Sequence, residues 1–462
     1  LANYLIFTFI AANFQMSRKF LFSLFLIAAG YYLAFKLTYK ALEKEKIYNT
    51  FFSSFMPTYE NQNGSINLVH KPFAKISENG YLVMDASHYA YIRDHMYSVD
   101  PALEESKYSS GFFPLFPITW KFFSSLGIIT LNFFLHFAAI LLLASAFCKN
   151  KIQLAAVTIL ALPTLTVFFL PYTEGMFIFF VSLALWAHKN NKRNLYIIGL
   201  ALASATRPVF LLFVCGAIAA EVYRYLRTGK TDFKEVLTLT GTVTIVTFLV
   251  SLFQFSYHRE SLFKFMTVQK HWDTYFRIPQ TINDWSREGY GMNVWALFFC
   301  LIFGGAVLIS GLLKKERAEN DFDQWYYFSW IFLIGTCVYV LFFQGGTLHS
   351  LYRYTLCSPF FYVIIFQHMN NMKSMRLSST IALAACLFIA CSLFFIFSGY
   401  VSGWGFSKIG FLLLILNLLF FILRDKINSR YLYPGYAVLI ACGILWNCYL
   451  YNMIFSEAWI FL

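Results

Sequence analysis

Long apolar runs of about 17 to 22 residues, parted by short charged segments, organise the chain. That length and composition belong to helices that satisfy their own backbone in hydrocarbon. The runs predict membrane spans at 20–38, 128–147, 152–170, 175–187, 195–206, 209–223, 236–256, 292–313, 326–343, 355–369, 379–398, 405–423 and 434–455, about thirteen in all. The predicted class is an all-α polytopic membrane protein.

The segments between the runs orient them. Lys149 and Lys151; Lys189, Lys192 and Arg193; Arg224, Arg227, Lys230 and Lys234; Lys314, Lys315 and Arg317; Lys373 and Arg376; and Arg424, Lys426 and Arg430 all fall on one side of this drawing. The positive-inside rule makes that side cytoplasmic, with the amino terminus inside and the carboxyl terminus outside. The rule also decides the reading at Arg207-Pro208. One helix over 195–223 would put two basic loops on opposite faces, whereas two short spans keep them together. A twelve-residue span rises only about 18 Å, against a hydrocarbon core about 30 Å thick. Arg207 is thus expected in a recess, where it needs an anionic partner or a wet cavity.

Composition strengthens the membrane reading. Hydrophobic residues make up 59% of the 462 positions and aromatics 21%, with 55 phenylalanines, more than a soluble core uses. The formal charge of +13 sits mostly in the short inter-span loops, so nucleic acid is not a partner; the lipid bilayer is. Nine cysteines lie in or at the ends of apolar runs with no Cys-x-x-Cys pair, and they read as small core hydrophobes. Residues 1–15 precede Met16-Ser17-Arg18-Lys19, which resembles a translation start. They read as an upstream extension or a short membrane-surface segment. The run Phe20–Leu37 is too long for a removable signal peptide and lacks its cleavage site.

Two outer loops, 39–127 and 257–291, are too long to be connectors. Both alternate aromatic and charged residues, suggesting amphipathic helices in the membrane interface. The first opens its polar stretch with Asp85-Ala86-Ser87-His88-Tyr89 and closes it with Phe112-Phe113-Pro114-Leu115-Phe116-Pro117. Asp85 and His88, three apart, share one face if the segment is helical. An outward-facing Asp suits general-base work; it also suits a helix N-cap, and spacing alone does not separate the two. Asp94, His95, Asp100, Glu104 and Glu105 read mostly as solvated acids and a surface histidine. Their spacing with His88 fits no metal signature, so no metal ligand is assigned, and a divalent metal is at most a minor option.

Two prolines three apart argue that 112–117 is a rigid extended segment, either a pocket wall or a lead-in to the next span. Glu174, in Pro171-Tyr172-Thr173-Glu174-Gly175, either strengthens a helix N-terminus or faces the same cavity as Asp85. His349, Tyr352 and Arg353 occupy a further outer turn. Arg353 and Arg207 together could clamp a phosphate; the alternative is interfacial snorkelling, which suits Arg353 better than Arg207.

These segments in order resemble the motifs of the PIG-V-like mannosyltransferases: Asp85-x-x-His88, Phe112-Phe113-Pro114-x-x-Pro117, Pro171-Tyr172-Thr173-Glu174-x-x-Phe177, Ala203-Ser204-Ala205-Thr206-Arg207 and, more loosely, Val268-Gln269-x-x-Trp272. The likeness covers about residues 80–210 and thins beyond, to Arg353-Tyr354 and Pro359. It implies a GT-C integral membrane glycosyltransferase, a core module over 1–256 and a variable module over 257–462. It also implies inverting transfer of a hexose, usually mannose, from a polyprenyl-phosphate sugar to a glycan, lipid or protein acceptor on the non-cytoplasmic face. In that scheme Asp85 is the base, aided by His88 and Glu174, while Arg207 holds the donor phosphate; Arg353 and His349, by their place in a further outer turn, are expected to face the same phosphate. Tyr89, Phe113, Pro114, Tyr172, Gln269 and Trp272 line the pocket. The sequence departs from the family at Met84, where the family has Trp, at Met96-Tyr97 with the longer segment through Lys107, and at Pro208-Val209. These departures favour a bacterial relative in the cytoplasmic membrane over the GPI-anchor enzyme.

The competing class is a transporter or flippase of a lipid-linked sugar. Transporters commonly carry internal repeats and midplane sites; here no repeat stands out and the polar groups collect on outer loops. A purely structural membrane subunit is weaker still, because ionisable residues within membranes are usually functional.

Overall fold

The first apolar run continues past its expected end as a single helix, α1 (Arg18–Leu42). The computed structural model describes residues 18–54, 56, 58–62, 65–100, 102–148, 151–280, 282, 292–313, 323–371, 378, 381, 385, 409–424 and 426–456. Residues 1–15, most of the expected 379–398 span, Trp285, Cys386 and Cys391 therefore lie outside the described residues.

The first long loop holds one exception to the all-α expectation. Strand β1 (Thr58–Gln62) pairs antiparallel with β2 (Ser65–Val69), Thr58 opposite Val69 and Gln62 opposite Ser65. Beyond it, α2 (Asp85–His95) buries Ala86, Tyr89, Ala90, Tyr91 and Ile92 and leaves Asp94 and His95 exposed. The helix expected in the polar stretch is therefore present, with its middle enclosed on more than one side.

The proline segment differs from its expected extended form. Helix α3 (Leu115–Trp120) starts after Pro114, which already has helical angles, and takes Pro117 into its first turn. The first four helical N–H groups have no intrahelical acceptor, so a proline there sacrifices no bond. The carbonyls of the preceding loop are satisfied from elsewhere: Gln254 Nε2 donates to those of Ser110 and Phe112, both at 3.1 Å, and Tyr97 Oη donates to Phe112 at 2.8 Å.

The bundle proper follows as α4 (Ser125–Phe147), α5 (Ile152–Leu160), α6 (Glu174–Lys189), α7 (Arg193–Thr206), α8 (Phe210–Thr228), α9 (Phe233–His258), α10 (Met292–Leu313), α11 (Gln324–Phe343), α12 (Leu351–Thr355), α13 (Pro359–Asn371), α14 (Ile409–Leu423) and α15 (Ser429–Phe455). Six of the described helices are long and apolar enough to cross a membrane: Phe22–Leu42 within α1, then α4, α9, α10, α11 and Arg430–Phe455 within α15. Helix α6 packs against both α4 and α7, and α13 packs against α4 and α11. At Gly199 an added Cβ would lie 2.8 Å from the backbone nitrogen of Ala184, so α7 and α6 meet backbone to backbone.

The expected span 152–170 is not one helix. Nine residues of α5 rise about 13.5 Å, and Pro163 precedes a buried 3-10 turn, Leu165–Phe169. Irregular backbone at such depth persists only where protein satisfies it. Cys357 Sγ donates to the Thr164 carbonyl at 3.2 Å and Asn132 Nδ2 to that of Leu170 at 3.1 Å. The expected span 355–369 is a single shorter helix, α13, which begins at Pro359; the separate short helix α12 precedes it. The seven described cysteines are all free and five of them are buried, as small core residues would be.

The bundle separates its charges into two ends. At one, Lys189 pairs with Asp323 at 2.8 Å, His188 Nε2 meets Glu235 at 3.3 Å, and Lys151 Nζ donates to the Met369 carbonyl at 3.3 Å. The basic loops after α4, α6 and α8 thus share an end, as the charge pattern requires. Fifteen residues of α6 back from Lys189, about 22 Å along the helix axis, stands Glu174.

Candidate active site

Glu174 opens α6 because the chain reaches it through a crowded turn. At Gly175 a Cβ would fall 2.2 Å from Asn132 Oδ1 and 2.3 Å from the Asn132 carbonyl, so only glycine lets α6 start directly on α4. Thr173 precedes it without capping the helix; its Oγ1 lies 3.3 Å from Tyr89 Oη on α2. Glu174 is 2% exposed.

Two arginines converge on this carboxylate. Arg207 follows α7 in extended conformation, as Pro208 demands, and its Nη1 donates to Glu174 Oε1 at 2.9 Å. Arg353, on α12, brings both Nε and Nη2 to 2.5 Å from the same oxygen. Glu174 Oε2 is buried without a hydrogen-bond partner among the described residues. Burial alone would raise the Glu174 carboxyl, but Arg353 and Arg207 outweigh it and hold it below the usual carboxylate range. Burial alone would lower the Arg353 guanidinium, yet Glu174 and Asp85 keep it well above its ordinary value.

Asp85 is the outer member of the cluster. It is the first residue of α2, one past the N-cap position, which Met84 holds. Its Oδ2 accepts from Arg353 Nη2 at 3.0 Å, with about a third of the Asp85 side chain exposed against 5% for Arg353. Met84, the residue before it, has φ 52° and ψ −129°, and Ser350, just before α12, has φ 55°. Both short helices that present the Asp85–Arg353 pair are therefore entered through backbone strained for a non-glycine residue.

Aromatic faces close the cluster. The Arg353 guanidinium lies 4.8 Å from the Tyr172 ring centroid, Arg207 5.8 Å from Phe177, and both arginines contact Tyr354, at 5.7 and 5.4 Å. Cation–π contact of this kind helps hold two like charges near each other.

The snorkelling alternative for Arg353 is overturned: it is the deeper of the two arginines, 5% exposed against 18% for Arg207. His88 faces another group. Its ring stacks on Phe112 at 4.8 Å and meets Trp272 edge-on at 5.8 Å. Burial pulls its pKa below the ordinary value, against the opposing pull of Asp85. Trp272, from the second long loop, covers Gly111, where a Cβ would come within 2.9 Å of the indole. Gln269 starts the 3-10 turn that carries Trp272. Phe113 turns away toward Phe265 and Val250, while Phe112 borders His88, Tyr89 and Trp272. Pro114 is buried at the start of α3, and half-buried His349 stands in the turn before Ser350.

Asp94 and Asp100 of the first loop make local contacts, whereas Glu105 lies beside His88. Asp94 forms a two-pronged pair with Arg93, 2.7 Å on each side, and Asp100 accepts from Ala102 N in a local turn. Among the described residues no three His, Cys, Asp or Glu side chains cluster as metal ligands. Sequence reading missed Tyr354 as a shared platform and Gln254 as the pin of the proline loop. The adjacency of Tyr354 to Arg353 was a usable signal for the first; nothing local marks the second.

No protein-family model matches the sequence, and no curated protein matches it. Among solved structures the chain is similar to the crystal structure of ArnT from Cupriavidus metallidurans bound to undecaprenyl phosphate, with a TM-score of 0.46 and 12% identity over 94% of this chain and 78% of that one.

Proposed function

We infer that the protein is a GT-C membrane glycosyltransferase that moves a hexose, with mannose the leading candidate, from a polyprenyl-phosphate sugar to an acceptor hydroxyl on the non-cytoplasmic face. The observation that carries this reading is the pairing of a part-exposed carboxylate, Asp85, with two arginines anchored on buried Glu174. A base and a cationic phosphate site are the two things this reaction requires.

In the proposed step Asp85 takes the proton of the acceptor hydroxyl, and that oxygen bonds to the anomeric carbon from the side opposite the phosphate. The anomeric C–O bond breaks, its electron pair leaves with the polyprenyl phosphate, and configuration inverts. Arg207 and Arg353 balance the charge gained by the leaving phosphate. Glu174 holds the arginines in place, while His88, Phe112 and Trp272 form an aromatic wall beside Asp85. The first 256 residues supply the base and Arg207, and the later part supplies Arg353. The chain acts in a bacterial cytoplasmic membrane with its amino terminus inside, as the loop charges indicate.

The test is incubation of purified full-length protein with polyprenyl-phosphate mannose and a panel of envelope acceptors, followed by mass spectrometry. A new glycosidic bond supports the reading. Net movement of the lipid-linked sugar across the bilayer without that bond would sink it in favour of a transporter.

A further inference from the structure

The four charged groups of the cluster do not hold one another equally. Glu174 is buried with Arg353 and receives both guanidiniums on Oε1. Asp85 touches the cluster through a hydrogen bond to Arg353 Nη2 and is its most exposed carboxylate. Two arginines against two carboxylates sum to zero charge, so as it stands the cluster offers an incoming phosphate no net attraction. Arg353 Nη2 already meets Glu174 Oε1 at 2.5 Å and Asp85 Oδ2 at 3.0 Å, so a phosphate oxygen joining it while Asp85 stayed would be a third anion at one atom, which like-charge repulsion opposes.

We propose that Asp85 and the phosphate of the lipid-linked donor compete for Arg353, so that donor docking releases the Asp85 carboxylate and no acceptor is deprotonated before the donor is seated. This rests on the glycosyltransferase reading above and adds to it a compulsory binding order. Glu174 is the fixed counter-ion and Asp85 the exchangeable one. Arg353 therefore acts twice: it occupies Asp85 in the empty site and, after exchange, faces the phosphate. After transfer the lipid phosphate leaves as a monoester, more negative than the donor diester, and holds Arg353 more firmly. The product then keeps Asp85 released and is a strong inhibitor competitive with donor.

Competition has a thermodynamic signature that a structural role for Asp85 lacks. The full-length protein in nanodiscs is titrated with undecaprenyl phosphate as the probe, binding being read by tryptophan fluorescence for wild type and Asp85→Asn. Asparagine keeps the shape but not the charge, so the variant is expected to bind about tenfold more tightly, within the range for coupled sites. Equal or weaker binding by the variant overturns the exchange and leaves the glycosyltransferase reading standing. No binding by wild type overturns both. A cryo-EM structure of wild type with and without the probe tests the same exchange without mutation. The expected result is phosphate on Arg353 with Asp85 detached and Glu174 retained; phosphate bound with the 3.0 Å Arg353–Asp85 contact intact is the contrary one.

Discussion

Arg353 and Asp85 stand 268 residues apart in the chain and meet at 3.0 Å, guanidinium to carboxylate, where the second half of the protein reaches the first long loop. This contact takes the Asp85 carboxylate away from the helix N-terminus it begins and makes it part of a charged site. Asp85→Asn retains an amide oxygen that accepts from Arg353, so the protein stays folded. Sugar transfer is expected to fall by about 10²- to 10⁴-fold, the usual contribution of a general base. Mass-spectrometric rates of bond formation measure this, and near-normal turnover would remove Asp85 from the chemistry.

The two arginines are expected to separate in their effects. Arg207→Ala leaves Glu174 paired with Arg353, so stability holds while donor binding weakens by about 2 to 5 kcal/mol, the range for truncating one partner of a buried charge pair at a binding site. Arg353→Ala strips Glu174 of its most buried partner and releases Asp85 as well. It is expected to cost about 3 to 5 kcal/mol of stability. Thermal unfolding and donor KM, measured side by side, decide this; equal stability losses for the two variants would contradict the assigned depths.

That difference in depth is also where sequence reading gave out. Asp85, Glu174 and Arg207 were legible because each sits in a short polar segment between long apolar runs; the loop-charge argument required a turn at Arg207, and its depth required either an anionic partner or a wet cavity. Arg353 lies in a turn of the same kind, yet α12 folds inward from Ser350, and its burial depends on helices contributed by the whole chain. The prolines at 114 and 117 misled for a local reason: a proline in the first turn of a helix removes no hydrogen bond. The broken segment at 152–170 carried a local signal that hydropathy overrode: Pro163, in the middle of the run, ends the helix, and the partners of the following carbonyls make the break tolerable at that depth.

Glu174 ties the stability of the site to pH. Its folded pKa lies below the ordinary carboxylate value, since the arginines outweigh burial. Its contribution is therefore complete above the unfolded value of about 4.3 and is lost as pH falls through the folded value. Wild type is expected to lose melting temperature below about pH 4 in part through this group. Glu174→Gln, already lacking the charge, should be less stable at neutral pH and flatter through the acid range. Parallel melting curves for the two proteins across that range would remove Glu174 as the cause.

Gly175 provides a test of how the site is aimed, because it touches no reacting group. A methyl there meets both the side chain and the backbone carbonyl of Asn132, and backbone cannot swing aside as a flexible side chain can. The start of α6 must lift off α4, carrying Glu174 with it, while Arg207 and Arg353 are held by other helices. Overpacking of this kind costs about 1 to 3 kcal/mol, and a displacement of about 1 Å at a reacting centre is worth about 10²-fold in rate. Gly175→Ala is therefore expected to lose much more activity than stability. The converse substitution removes only part of the obstruction: Asn132→Gly in the same chain clears the side-chain clash but leaves the carbonyl, and it frees the Leu170 carbonyl that Asn132 Nδ2 satisfies, so it should restore only part of the activity. Full activity in Gly175→Ala alone would mean that the position of Glu174 is not set by this contact.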